Sequence, residues 1–273
     1  MSLRGLLLTT AAALVIAIAM LSLVMSATAA DTGARLQGTW TMKGKITRAD
    51  NVRGERKGQR VTRQWSFSST CASGPCKTAK VKRQRTHGQT DTTVLNRVRP
   101  DYYSGNGRFY VRLRCAGKVY PRGGLATMSI SVRITRSATV QGKQFATRVS
   151  ATYNNKKRVN RTPCAGGIGR DAATYTGTLK SPVPTPPTAD FTSSRPDPVI
   201  TRVAFSDSSA KGASGARVVK WRWDFGDPVS GDSNTSTARN PSHDYTAPGT
   251  YTVKLTVTDA NGLTSTVEHE VTV

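Results

Sequence analysis

The sequence predicts an all-β protein in two unequal parts. The first is an antiparallel β-barrel or curled sandwich carrying two disulfides, and the second is a smaller β-sandwich. Three observations point there. Apolar and polar residues alternate with a period of two over many segments, the pattern of strands with one buried face. Gly, Asn and Pro punctuate those segments as turn residues. Hydrophobic residues make up 37 % of the 273 positions, but the first thirty take a disproportionate share of Leu, Ile, Met and Ala. The remainder is lean in core material and rich in Thr, Ser, Arg and Gly, which disfavours a helical bundle or a large α/β enzyme.

Residues 1–30 read as an export signal. Met1–Arg4 is a short basic start, Leu6–Met25 is apolar apart from Thr9, Thr10 and Ser22, and Ala27-Thr28-Ala29 supplies a small–x–small pattern. Cleavage after Ala29 or Ala30 is expected, giving a secreted protein that can associate with the cell surface. The alternative is a retained N-terminal membrane anchor, since about 20 apolar residues suffice to span a bilayer. The small residues that follow the run, with no basic stop-transfer cluster, favour cleavage.

Residues 31–180 form the first domain. Trp40, Met42, Gly44 and Ile46 share one parity against Thr39, Thr41, Lys43 and Lys45. Val61, Arg63, Trp65 and Phe67 share another, as do Phe109, Val111, Leu113 and Cys115 against Tyr110, Arg112 and Arg114. Met128, Ile130, Val132 and Ile134 repeat the pattern, and Phe145, Val149, Ala151 and Tyr153 add a further strand. About eight such strands suggest an up-and-down barrel or a curled sandwich. Four cysteines in an exported chain imply disulfides rather than a zinc site, and no C-x-x-C pair is present. Three pairings are open. The expected one joins Cys71 to Cys76, across a turn, and Cys115 to Cys164.

Ser181–Thr188 holds four prolines in eight residues and reads as a stiff linker before residues 189–273. Charge divides there. Residues 31–182 carry 31 Lys+Arg against six Asp+Glu, net +25, while residues 183–273 carry eight against ten, net −2. All the excess behind the formal charge of +24 therefore sits in the first domain. The cations cluster as Arg53, Arg56, Lys57 and Arg60; Lys80, Lys82, Arg83 and Arg85; Arg112 and Arg114; and Lys156, Lys157 and Arg158. Tyr102, Tyr103 and Tyr110 lie close enough in sequence to interleave with them.

Such self-repulsion is relieved by a polyanion, whose binding releases counterions. The expected partners are anionic polysaccharide, wall polymer or another extracellular polyanion. No nucleic-acid motif supports sequence-specific recognition. Catalytic equipment is sparse. The first domain has one histidine, His87, and six acids, with no nucleophile elbow, His-Glu-x-x-His or phosphate loop. Neither a catalytic residue, a cofactor nor a metal is expected. A carboxylate-dependent hydrolase, using a pair such as Asp91 and Asp101, is the enzymatic alternative.

Two resemblances add to this reading. Gly38-Thr39-Trp40 is similar to the Gly-x-Trp of lipocalins, and this domain also resembles uncharacterised exported actinobacterial β domains. The lipocalin likeness implies a second alternative, a carrier of a small apolar ligand. The C-terminal part resembles the PKD domain, an immunoglobulin-like module of the polycystic-kidney-disease type. The match runs through Ala189-Asp190-Phe191, Trp223-Asp224-Phe225-Gly226-Asp227, Asn240-Pro241-Ser242-His243-Asp244-Tyr245, Pro248-Gly249-Thr250-Tyr251 and Asp259-Ala260-Asn261-Gly262. It implies a non-catalytic extracellular spacer contacting protein or carbohydrate. Asp224, Asp227, Asp232 and His243 suggest a metal or acid–base cluster, but their spacing fits no metal loop. The favoured reading has Asp224 and Asp227 bonding turn backbone while His243 and Tyr245 shape the next strand. Pro228-Val229-Ser230-Gly231-Asp232 departs from the family's Gly-Asp-Gly and implies a longer hairpin.

Overall fold

The structure is a computed structural model that describes residues 33–71, 74–85, 88–164, 169–197 and 199–273. The expected export signal, residues 1–30, and His87 lie outside them. Among the described residues no helix is long and apolar enough to cross a membrane.

Eight antiparallel strands follow one another in sequence: β1 (Gly38–Asp50), β2 (Arg60–Ser69), β3 (Thr78–Gln84), β4 (Thr90–Arg99), β5 (Tyr102–Cys115), β6 (Lys118–Val140), β7 (Lys143–Asn160) and β8 (Arg170–Leu179). Each pairs with the next, and β8 pairs back onto β1 from Trp40↔Leu179 to Asp50↔Arg170. The first domain is thus a closed up-and-down barrel rather than a curled sandwich.

The alternation places the core as the sequence implies. Trp40, Met42, Trp65, Phe67, Val81, Leu95, Met128, Ile130, Val132 and Val149 point inward and are buried together. Small residues opposite the large ones keep this interior closely packed. A Cβ on Gly44 would run into the Tyr175 ring, and one on Gly177 into Met42 Sδ. The N-terminal segment Ala34–Leu36 is buried and closes one end of the barrel, its backbone bonded to β7 through Arg35 N–H to Gln144 O at 2.8 Å.

Both expected disulfides are present. Cys71–Cys76 closes the β2–β3 turn, and Cys115–Cys164 ties the end of β5 to the segment after β7. Beyond the proline segment, β9 (Phe191–Ser194), β10 (Arg202–Asp207) and β13 (Ser242–Asp244) form one sheet. A second contains β11 (Val218–Asp224), β12 (Thr235–Ser236), β14 (Thr250–Asp259) and β15 (Thr264–Thr272). Between the sheets, Phe191, Phe205, Trp223, Phe225, Val253, Leu255 and Val257 make a single core.

The proline segment is tied at both ends. Ser181 Oγ accepts the Thr39 N–H at 3.2 Å, and Thr188 bridges to Ala210. Two side chains of the barrel also reach the sandwich. Gln37 Nε2 donates to Asn261 Oδ1 at 2.9 Å, and Gln141 exchanges two hydrogen bonds with the Thr264 backbone, at 2.8 and 2.9 Å.

Candidate functional site

Successive side chains of a strand point to opposite faces, so each predicted cation falls inside or outside the barrel by its parity. Lys80 and Lys82 on β3, and Arg112 and Arg114 on β5, stand on the outer face as expected. Arg53, Arg56 and Lys57 are exposed in the β1–β2 loop, Arg60 opens β2, and Lys156 and Lys157 are exposed on β7.

Three of the predicted cations do not belong to that surface. Arg83 follows Val81 by two residues, so it turns into the barrel and is 4 % exposed. Its Nε donates to Asp91 Oδ1 at 2.7 Å, and its guanidinium lies 3.9 Å from the Tyr153 ring centroid. Arg85 shares Asp91 at 3.2 Å and covers Phe109 at 4.2 Å, while Arg158 pairs with Asp171 at 2.7 Å. Burial works against the Arg83 charge, but Tyr153 and Asp91 outweigh it and raise its pKa above the ordinary guanidinium value. Burial likewise pushes the Tyr153 hydroxyl upward and raises Tyr175 to about 12, so both rings stay neutral at physiological pH.

The outer face gathers cations that the clusters in sequence do not reveal. Strand pairing lines up Thr62, Lys43, Thr176, Ser150, Arg133 and Tyr102 in a row running across β2, β1, β8, β7, β6 and β5. One step along the strands, Arg60, Lys45, Thr174, Thr152, Ser131 and Ser104 form a parallel row. Neighbouring strands lie about 4.8 Å apart, so six strands carry this strip over roughly 24 Å.

An open depression of about 1020 Å³ follows the strip, and no acid among the described residues lines it. Asp101, paired with Arg133 at 3.6 Å, stands at its margin. Tyr102 sits between the guanidinium groups of Arg99 and Arg133, 5.0 and 5.9 Å from its ring centroid. Tyr110 is held similarly by Arg122 and Arg161. Tyr103, by contrast, is inside, donating its hydroxyl to Cys76 O at 3.1 Å. Lys43, Lys45 and Arg133 are absent from the sequence-predicted set because they come from strands far apart in the chain. The spacing of Lys43 and Lys45 by two is the one signal that could have found them.

In the sandwich, Trp223 and Phe225 are core, and Gly226 takes a left-handed φ of 71° within 2.5 Å of Thr252 O, measured from where its Cβ would stand. Tyr245 donates to Phe225 O at 3.3 Å, and Tyr251 donates to Ala247 O at 2.7 Å. Pro241 and Gly249 lie at the backbone pairings Phe205 N–H to Pro241 O and Gly249 to Val273. Asp224 accepts from Gly226 N–H and from Asn234 Nδ2. Asp227 is fully occupied by His243 and Thr246. The longer hairpin, Pro228–Asn234, is two short 3-10 turns separated by a kink at Gly231, where φ is 60°. Among the described residues no three His, Cys, Asp or Glu side chains are grouped to hold a metal ion.

These features define the C-terminal part as an immunoglobulin-like β-sandwich module. Residues 184–273 match the family model described as PKD domain, and that part of the chain is a PKD domain. A microbial collagenase of Vibrio alginolyticus is 37 % identical over 87 residues, which is 32 % of this chain and 10 % of the collagenase. Collagenase ColA of Bacillus cereus is 41 % identical over 71 residues, 26 % of this chain and 7 % of its own length. This chain thus spans a tenth or less of the curated relatives it matches. The crystal structure of the PKD1 domain of Vibrio anguillarum Epp is 33 % identical, covering 32 % of this chain and 93 % of that one with a TM-score of 0.28.

Proposed function

We propose that the protein is an extracellular, non-catalytic binding protein. Its barrel docks on an anionic polymer, and its PKD domain serves as spacer or as a second contact to protein or carbohydrate. The observation that carries this reading is the cross-strand strip. Lys43, Lys45, Arg60 and Arg133 share one hydroxyl-paved face with no acid among the described residues in its lining, and Tyr102 offers a flat ring between two cations. A polymer laid across the strands meets cations at intervals, and counterion release drives its binding. The relatives named as collagenases support an extracellular setting through their PKD segments.

The carboxylates of the barrel speak for binding over hydrolysis. Asp91 is inside, held by Arg83 and Arg85, whereas Asp101 is outside beside Arg133. The two therefore stand on opposite faces of the wall and do not flank a common substrate. The apolar-carrier alternative meets an interior filled by Trp40, Trp65, Met42 and Met128, with arginines where space remains.

The test is retention on heparin and on purified wall polymer across a salt series. Wild-type affinity falls linearly on a log–log plot, and the combined variant K43S/K45S/R60S/R133S lowers that slope by roughly one unit for each of these cations that touches the polymer. An unchanged slope in the folded variant rules out the strip as the binding face.

A further inference from the structure

Among the described residues the barrel is open at the end where β1–β2, β3–β4, β5–β6 and β7–β8 connect, and a cavity of about 600 Å³ enters there. Its chemistry differs from that of the outer strip. Phe109, Val111, Tyr153 and Tyr175 form an apolar wall, and Arg53, Arg63, Arg83, Arg85, Arg112 and Arg158 also line the space. Three carboxylates answer four of them, Glu55 against Arg63, Asp91 against Arg83 and Arg85, and Asp171 against Arg158, while Arg53 and Arg112 stand exposed at the rim. The mouth therefore keeps a surplus of positive charge in a partly enclosed space. Screening is weakest in such a setting, and an anion gains most there.

Two nitrogens sharpen the argument. Arg83 Nη2 and Arg158 Nε are buried and find no hydrogen-bond partner among the described residues. A buried donor without a partner is unfavourable, and an entering oxyanion would relieve it. With Phe109 and Tyr153 covered by these arginines, Val111 and Leu113 are the half-buried apolar surface left for a ligand body.

The geometry points to a second binding site in this mouth, for a small organic anion: one carboxylate, sulfonate or phosphate on a flat or aliphatic body. The anionic group meets Arg83, Arg85 and Arg158, and the body rests on Val111 and Leu113, which are half-buried in the lining. This site is independent of polymer binding on the outside. It differs from an apolar carrier in requiring the charge.

The test is a fluorescence titration of the full chain with 1-anilinonaphthalene-8-sulfonate in about 1 M salt, where the Debye length is about 3 Å and exposed charges are largely screened. Saturable one-to-one binding to the folded protein is expected. Toluenesulfonate should displace the dye at least tenfold more effectively than neutral toluenesulfonamide, a comparison that needs no variant. R85Q combined with R158Q should weaken the dye at least tenfold, and V111S combined with L113S should abolish its enhancement, with near-ultraviolet circular dichroism confirming the fold. Equal displacement by the charged and neutral compounds overturns the proposal, as does dye binding that ignores both sets of substitutions. Because the titration is made at high salt, loss of polymer binding leaves its result unaffected.

Discussion

Asp227 and Thr246 lock the turn that follows β13 from inside the PKD domain. The carboxylate accepts the Thr246 N–H at 3.0 Å on Oδ2 and the Thr246 hydroxyl at 2.8 Å on Oδ1, while His243 Nε2 stands 3.2 Å from Oδ2. His243 in turn stacks on Phe225, with ring centroids 4.4 Å apart. A buried carboxylate is costly unless its oxygens are bonded, and here they are.

This lock makes the domain acid-sensitive. Burial alone would raise the Asp227 pKa, but the Thr246 hydroxyl and N–H, with His243, outweigh it and hold the carboxyl below its ordinary value. Its stabilisation is therefore complete above the unfolded pKa of about 3.9 and is lost as pH falls through the lower folded value. Urea melts from roughly pH 5 to pH 2 should show the PKD transition weakening in the wild type. In D227N that loss should flatten, from a baseline about 2 kcal/mol lower at neutral pH.

The two disulfides should differ in worth. Cys115–Cys164 closes a separation of 49 residues and Cys71–Cys76 one of five. By loop-closure entropy, C115S/C164S should lower barrel stability by about 4 kcal/mol and C71S/C76S by about 2 kcal/mol. Chemical denaturation of each double variant checks the order, and a reversed order would contradict the entropic account.

Gly44 marks a position where the barrel tolerates no side chain. G44A would drive a methyl into the Tyr175 ring and to within 2.6 Å of the Thr174 carbonyl oxygen. A loss of about 2–3 kcal/mol is expected, read from the melting of the near-ultraviolet signal of the buried tryptophans.

Gln141 should control how firmly barrel and PKD domain stay together. Removing its paired bonds to Thr264 and the Gln37–Asn261 bond, as Q37A/Q141A, leaves each core intact. Small-angle scattering should show a broader distance distribution, and calorimetry two better-separated transitions. An unchanged profile would assign the coupling to the proline segment instead.

Much of the fold is legible in the sequence because period-two alternation reports burial directly. Trp40, Met42 and Ile46 lie inside, as do Trp65 and Phe67. The PKD residues Trp223, Phe225 and Tyr245 are equally plain, and Asp224 and Asp227 bond turn backbone, in keeping with the favoured reading of that cluster. The site is harder to read. Arg83 shares its parity with Val81, yet a cation there looks like surface until Asp91 is found opposite it on β4. The outer strip requires six strands to be in register, and that pairing is a property of the closed barrel rather than of any one segment.

Closure of β8 onto β1 has a last consequence for how this molecule meets copies of itself. In a closed cylinder every strand has a neighbour on both sides, so the cationic domain presents no free edge strand to another copy even when concentrated on a surface, its short seam being β4–β5, registered from Asn96↔Ser104 to Arg99↔Tyr102. The PKD sandwich does have margins. The longest is β15, whose Glu268, His269 and Glu270 lie exposed and place charge where an incoming strand would have to lie.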